Sequence, residues 1–414
     1  MSSKIGRGSV LWVLVIVAPA LAQWPGWGGP KRDFKAECKG LSAKWSEDGP
    51  KQIWSRELGP GYSSIAVDGD RLYTMFRKDD DEIVVALEAK TGKTVWEHSY
   101  NSPVPEGMDP QFGKGPNATP LVHNGKVYTL GVGGRLHCLD LSTGKPLWSH
   151  DLIGEFGAKV PAFGFSSSPT IHKDALITAG SGTGAGMMAF DLTGGSLLWK
   201  AHDFENVYSS PLLIKVDGQD QVVLLADTQV VGVNPTSGEL LWSHPHENQW
   251  KTNISTPVWG DDNLLYVTAG GEAGSRSLRL KVKEGKTSVE ELWSTRKMAV
   301  GQGNVIRVGD YYYGISGDGP AFFACAEAKT GKVLFRERGF GKAMLVHGDG
   351  KFIVLDEDGN LALVAASPDG VKVESKVQLL KKPAWTVPTL IGGTLYVRDT
   401  ERVMALDLGG LSKS

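Results

Sequence analysis

The sequence predicts an all-β protein, an eight-bladed β-propeller of four-stranded antiparallel blades whose ring is closed by an N-terminal strand. Three observations predict it. An aromatic residue recurs along the chain at Trp54, Trp96, Trp148, Trp199, Trp242, Trp293 and Phe335, in steps of 42, 52, 51, 43, 51 and 42 residues. Five of these aromatics follow a turn whose Gly stands four residues earlier, as in Asp140-Leu-Ser-Thr-Gly144-Lys-Pro-Leu-Trp148. The last unit stops before any aromatic strand, and the N-terminal region supplies an unassigned one, Gln52-Ile-Trp-Ser-Arg56. Self-similarity at 40 to 50 residues is the signature of a propeller whose blades have four strands each.

The chain order supports this element by element. Lys4 and Arg7 precede a short apolar run, Ser9 to Ala22, which ends in Ala-Leu-Ala. That is the pattern of a secretory leader over residues 1–22, cleaved after Ala22. A run of that length is short for the ~30 Å of hydrocarbon that a spanning helix must cross. Residues 23–410 then read as one propeller, with 23–58 carrying the closing strand and 411–414 left as a tail. Within each unit, runs such as Lys126-Val-Tyr-Thr-Leu130 and Asn263-Leu-Leu-Tyr-Val-Thr268 are rich in β-branched and aromatic residues and read as strands. They follow turns such as His123-Asn-Gly125. Units begin near Ser64, Pro120, Pro169, Pro211, Pro257, Val305, Met344 and Pro388. Letting Trp54 complete the eighth blade removes the free sheet edges.

Composition narrows the function. The 414 residues are 41% apolar and 22% charged, which excludes a disordered chain. The 44 Lys and Arg against 46 Asp and Glu leave no basic excess for a phosphate backbone, so no nucleic-acid partner is expected. Three Cys are too few for a disulfide framework. Cys138 and Cys325 share one repeat column with Ala86, Ala189, Gly232 and Ala405, so they read as small core residues.

The motif Ala-Leu-Asp-x-x-Thr-Gly-x-x-x-Trp resembles the pyrroloquinoline quinone (PQQ) repeat over nearly all of Trp24 to Gly410. The opening Trp24-Pro-Gly-Trp-Gly-Gly-Pro30 is similar to the start of bacterial proteins of that kind. The family includes quinoprotein dehydrogenases and the outer-membrane assembly scaffold BamB. The resemblance implies an eight-bladed fold. It implies either an exported scaffold that binds a protein, peptide or glycan, or a dehydrogenase carrying PQQ and Ca²⁺ at the central channel. The large dehydrogenases carry an adjacent Cys pair, which this chain lacks, and no Cys-x-x-Cys-His haem motif occurs. The scaffold reading is therefore preferred, as a monomer with no catalytic residue and no metal ligand assigned.

Candidate site residues come from the segments that enter the innermost strands, because these converge on one mouth of the channel. They are Tyr62, Asn117, Phe165, Tyr208, Asn253, Asn304 and Trp385. Lys114, Lys251 and Lys342 lie in the same segments and are expected to face the carboxylates of any bound quinone. Two connections are lengthened, Tyr100 to Asn117 and Asp151 to Ser168, and carry Phe112, Phe156, Phe163 and Phe165. Insertions on one face of a repeat protein mark a binding face. His98, His150, His202 and His244 recur just after the aromatics and read as solvated strand ends. Arg77-Lys-Asp-Asp-Asp-Glu82 reads as a solvated hairpin tip.

Overall fold

The computed structural model describes residues 23–317 and 319–412. The leader reading concerns residues 1–22 and lies outside them. Eight antiparallel sheets stand around a central channel. Blade 2 shows the plan, with the order Pro146–Asp151, Arg135–Asp140, Lys126–Leu130, Leu121–His123 from rim to channel. Blade 8 pairs Thr389–Ile391, Thr394–Arg398 and Arg402–Asp407 with the N-terminal strand Lys51–Glu57. Trp54 lies opposite Ala405 there, so the ring closes through the N-terminus as the missing strand predicts.

The pairing of the third and fourth strands shifts register at one position in all eight blades, for example between Cys138 and Leu139 and between Ala405 and Leu406. Seven blades place a small residue there against an aromatic; blade 7 places Leu363 against Ser375. Cys138 faces Trp148, Ala86 faces Trp96 and Cys325 faces Phe335. A small residue is required there: a Cβ at Gly232 would lie 2.0 Å from the Trp242 indole. All three cysteines are free and buried, and burial pushes each thiol up to about 11.

The turn Gly and the Trp that follows it work on different partners. Every ladder Trp but Trp242 reaches the turn of the next blade. Trp54, Trp96, Trp199 and Trp293 donate their indole N–H to the carbonyls of Ala89 (2.9 Å), Leu141 (3.0 Å), Pro235 (3.1 Å) and Ala328 (2.8 Å). Their rings lie on Gly92, Gly144, Gly238 and Gly331, where a Cβ would stand 2.4 to 2.7 Å from the indole. These glycines also hold φ near +70°, which few L side chains adopt. Trp148 covers Gly195 in the same way, but its N–H has no acceptor among the described residues. The equivalent carbonyl, of Leu192, takes Lys126 Nζ (2.8 Å) and the Tyr128 hydroxyl (3.2 Å) instead.

Two of the histidines after the aromatics, His150 and His202, are not solvated ends. His150 Nε2 faces the Gly195 carbonyl at 2.6 Å and Nδ1 faces Glu155 at 2.7 Å, while its ring stacks on Phe190. His202 bonds the Gly238 carbonyl (2.8 Å), and Arg56 bonds that of Gly92 (2.9 Å). They form a second tie between blades, because the strand that carries the Trp runs on past the neighbouring turn.

The N-terminal segment does more than close the ring. Gln23–Trp24 adds a fifth strand to blade 1, and Lys35–Ala36 adds one to blade 7. Between them Val122 N–H of blade 2 donates to Pro25, Trp27 donates to Thr256 of blade 5, and Arg32 donates to Ser168 and Pro169 of blade 3. The segment therefore crosses the channel. Residues 38–39 pair with Leu411–Ser412, so the ordered ribbon runs two residues past Gly410.

Gly144→Ala and Trp96→Ala remove the two sides of one latch. The glycine change is expected to cost about 1–3 kcal/mol from overpacking and strain, and the tryptophan change about 3–5 kcal/mol. Combined, they should cost clearly less than their sum, because the clash disappears with the indole. Denaturant melts of the three variants check this; simple additivity would contradict it. His150→Ala is expected to cost about 1–2 kcal/mol rather than nothing.

Candidate functional site at the channel mouth

The mouth is built on a buried ion pair. Lys78, Asp79 and Asp80 form the solvated tip expected of the blade 1 hairpin, but Arg77 and Glu82, which flank it, are both interior. Glu82 lies 3.5 Å from Arg77 and accepts the Val132 N–H (3.0 Å) and the Tyr100 hydroxyl (2.9 Å). Arg77 donates to the carbonyls of Ser102 (2.7 Å) and Lys114 (3.0 Å), the two ends of the first long loop. Burial raises the Glu82 carboxyl, while the Val132 N–H and Arg77 pull it back. Val132 in turn accepts the Phe165 N–H at 2.9 Å, which fixes the end of the second long loop. One buried charge pair thus sets both insertions, because the lone pairs and N–H groups it offers are answered by loop backbone.

The two loops lean on each other. Asp109 N–H donates to the Ala162 carbonyl at 2.7 Å. Ala162 N–H donates to Asn206 (2.8 Å), and Phe163 N–H to the Tyr208 hydroxyl (3.2 Å). This brings five rings into one arc. Tyr62 and Trp385 stand 5.4 Å apart, Trp385 and Phe112 6.0 Å, Phe112 and Phe163 5.0 Å, and Phe163 and Tyr208 5.8 Å. Phe112 is 40% exposed. The arc runs from blade 8 past blade 1 to blade 4.

Of the seven candidates, Tyr62, Tyr208 and Trp385 belong to this arc. Asn117 lies half-buried beside it, one residue after the Pro116 carbonyl that accepts the Tyr62 N–H, and its amide makes no hydrogen bond among the described residues. The other three are structural. Phe165 is 2% exposed and packs against Gly134 in the core of blades 2 and 3. Asn253 is buried: its amide N–H donates to Ala226, Asp227 and His246, and its oxygen accepts from Asn248. Asn304 bonds both the N–H (2.8 Å) and the carbonyl (2.9 Å) of Leu345, tying blade 6 to blade 7. A turn-entry Asn looks the same in sequence whether its amide faces the channel or the neighbouring backbone. Phe156 is half-buried, packed on His150 and Phe190. Of the lysines, Lys251 pairs with Glu247 and Lys342 donates to Gln302, leaving Lys114 exposed.

One mouth residue escapes the sequence reading. Trp250 is 54% exposed on the connection from blade 4 to blade 5, its ring over Gly271. The signal is present: it is a Trp out of step with the ladder, eight residues after Trp242.

A flat quinone with a cation is not matched by these residues. Asn253 and Asn304 are committed to backbone, and no trio of His, Cys, Asp or Glu is placed to hold a metal among the described residues. Trp27 and Arg32 cross the channel itself.

A family model described as "Outer membrane protein assembly factor BamB" matches residues 39–111 and 80–337. The chain belongs to this BamB-like family of PQQ-repeat propellers. It is 24% identical over 282 residues to the BamB protein of Burkholderia pseudomallei, covering 56% of this chain and 71% of that one. It is 30% identical over 173 residues to the dehydrogenase subunit of a quinone alcohol dehydrogenase from Gluconacetobacter polyoxogenes, covering 39% of this chain and 22% of that one. The chain thus matches about a fifth of that relative's length. Among solved structures it is similar to BamB from Moraxella catarrhalis, with a TM-score of 0.58, 20% identity and coverage of 86% and 97%. It is also similar to the quinohemoprotein alcohol dehydrogenase of Comamonas testosteroni, with a TM-score of 0.65, 13% identity and coverage of 95% and 81%. At these identities the structural likeness establishes the propeller fold. No helix among the described residues is long and apolar enough to cross a membrane.

Phe165→Ala is expected to cost about 3–5 kcal/mol, and Phe112→Ala less than about 1 kcal/mol. Chemical denaturation of both checks the assignment; the reverse order would mean that the exposed ring is the staple.

Acid should find the buried imidazoles. Burial pushes His137 and His246 down to about 3 and His347 down to about 4, below the ordinary value of 6.5. The unfolded chain then binds more protons than the fold between these limits. The stability that they contribute is complete above about pH 6.5 and is lost as pH falls toward 3. His246→Gln is expected to flatten the fall in Tm between pH 7 and pH 5 relative to the parent. An unchanged slope would show that His246 does not titrate in that window.

Proposed function

We propose that the chain is an exported binding module of the cell envelope, whose mouth face docks an apolar segment of a partner protein on the aromatic arc. The observation that carries this is the arc itself: Phe112 and Phe163 of the two long loops in ring contact with each other and with Trp385 and Tyr208, with Phe112 exposed and the loops braced from beneath by Arg77 and Glu82. Exposed aromatic surface on a rigid support is what a binding face needs, because little entropy is lost when it is covered. Export rests on the leader pattern of Lys4 to Ala22. The relatives named as outer membrane protein assembly factors support an outer-membrane protein or its assembly machinery as the class of partner.

The second reading is a quinoprotein dehydrogenase, favoured by the 30% identity to a quinone alcohol dehydrogenase subunit over 173 residues. The committed amides of Asn253 and Asn304 and the channel-crossing segment weigh against it.

The test places a photo-crosslinking amino acid at Phe112 in the native host, with a second at Lys145 on the opposite face. A discrete envelope-protein adduct is expected at position 112, lost when Phe163→Ser and Trp385→Ser are added, and absent at position 145. Equal adducts at both positions would contradict the docking face. Stoichiometric uptake of PQQ with Ca²⁺ by the purified chain, followed by absorbance, would replace it with the enzyme reading.

A further inference from the structure

The channel holds a cation with no counter-ion among the described residues, at a level where hydroxyl groups collect. Ser64, Thr119, Ser168, Ser210 and Thr256 occupy one position in blades 1 to 5, two residues before each inner strand, and all are buried. Three of them accept a backbone N–H from the preceding blade. Ser64 N donates to Thr119 Oγ1 (3.2 Å), Thr119 N to Ser168 Oγ (2.9 Å) and Ser168 N to Ser210 Oγ (3.0 Å). Thr256 Oγ1 accepts the Trp27 indole N–H at 2.9 Å. Each hydroxyl also has a proton to give. None of these five gives it to an acceptor among the described residues, and Ser64 Oγ has no partner of either kind.

Arg32 is anchored at this level. Its Nη1 donates to the Pro169 carbonyl (2.8 Å) and Nη2 to that of Ser168 (3.2 Å). A guanidinium carries five N–H donors. The buried Nε has no partner, and no carboxylate lies within 4.0 Å of the group among the described residues. The neighbouring Asp33 faces Lys35 instead. Surrounding protein pulls the guanidinium down to about 10 by desolvation, yet part of the side chain stays open. An uncompensated charge in such a place is costly unless something answers it.

Donors without acceptors, around a cation without an anion, are complementary to one class of ligand. We propose that the channel binds a small oxyanion, either inorganic or a free carboxylate, between Arg32 and the hydroxyls nearest its anchor, those of Thr119, Ser168 and Ser210. The site is independent of the aromatic arc and does not rest on the docking reading. It is assembled by the N-terminal segment, so it exists only in the closed ring.

The test is a thermal-melt titration of the full mature chain with sodium sulfate and sodium succinate, against sodium chloride at matched ionic strength. Sulfate also stabilises proteins by exclusion from their surface, so saturation and dependence on Arg32 are the deciding readouts. Sulfate or succinate is expected to raise Tm saturably while chloride does not, and the responding salt names the source as inorganic or carboxylate. Arg32→Gln should weaken the apparent affinity roughly tenfold or more. If that variant fails to fold, Ser210→Ala leaves the Arg32 contacts in place and should weaken it several-fold. A selenate-soaked crystal should then show an anomalous peak within hydrogen-bond distance of Arg32. Unsaturable shifts, shifts unchanged in the substituted chain, or no selenate at Arg32 would overturn the proposal.

Discussion

The indole that leaves one blade and lies on the turn glycine of the next is the contact on which the rest of this structure depends. A blade alone buries only part of its apolar surface, and its fourth strand is an open edge. The Trp ladder turns that edge strand into a clamp. It covers a glycine at φ near +70°, and at four joints it also hydrogen-bonds the neighbour's backbone. Where the next blade has no such turn, the solution changes. Trp242 faces the long blade 5 hairpin, Ser275–Lys283 with Lys286–Thr295, and its N–H turns inward to Gln221 at 2.7 Å. Gly and Trp therefore travel together in the repeats of blades 1 to 4 for a reason that no single blade shows: each serves a different neighbour.

That explains what is legible in the sequence. Blade number, the closing role of Trp54 and the small column at Cys138 and Cys325 follow from periodicity, because the same packing problem is solved at each joint. Features that occur once have no period to reveal them. Arg77 and Glu82 read as part of a charged run, since a buried ion pair is defined by partners such as Val132 and Ser102 that lie far along the chain. Asn253 and Asn304 read as mouth groups, because the direction of an amide depends on which backbone it meets. His150 and His202 mislead for a related cause: a polar residue after a surface Trp looks solvated until the neighbouring turn is in place.

The same distinction separates scaffold from working surface. The channel, where the family resemblance directs attention, is crossed by Trp24 to Ala36. The mouth carries what is particular to this chain. Its two insertions are fixed by Arg77 and Glu82, and they present Phe112 and Phe163 between Trp385 and Tyr208. Rigidity follows from burial under the loops rather than from secondary structure within them, which amounts to one short helix, Leu152–Phe156, and a single 3₁₀ turn. A face built in this way keeps its shape before a partner arrives.

All of this requires that the ring behave as one closed body, with the N-terminal strand as firmly held as any other. Native-state hydrogen exchange on the full chain measures that most directly. Amides of Lys51–Glu57 and Arg402–Asp407 are expected to exchange as slowly as those of Arg135–Asp140 in blade 2, and all three to follow global unfolding as denaturant is raised. Early, independent exchange of Lys51–Glu57, with blades 1 to 7 still protected, would show a ring that opens at its closing strand and would contradict the account.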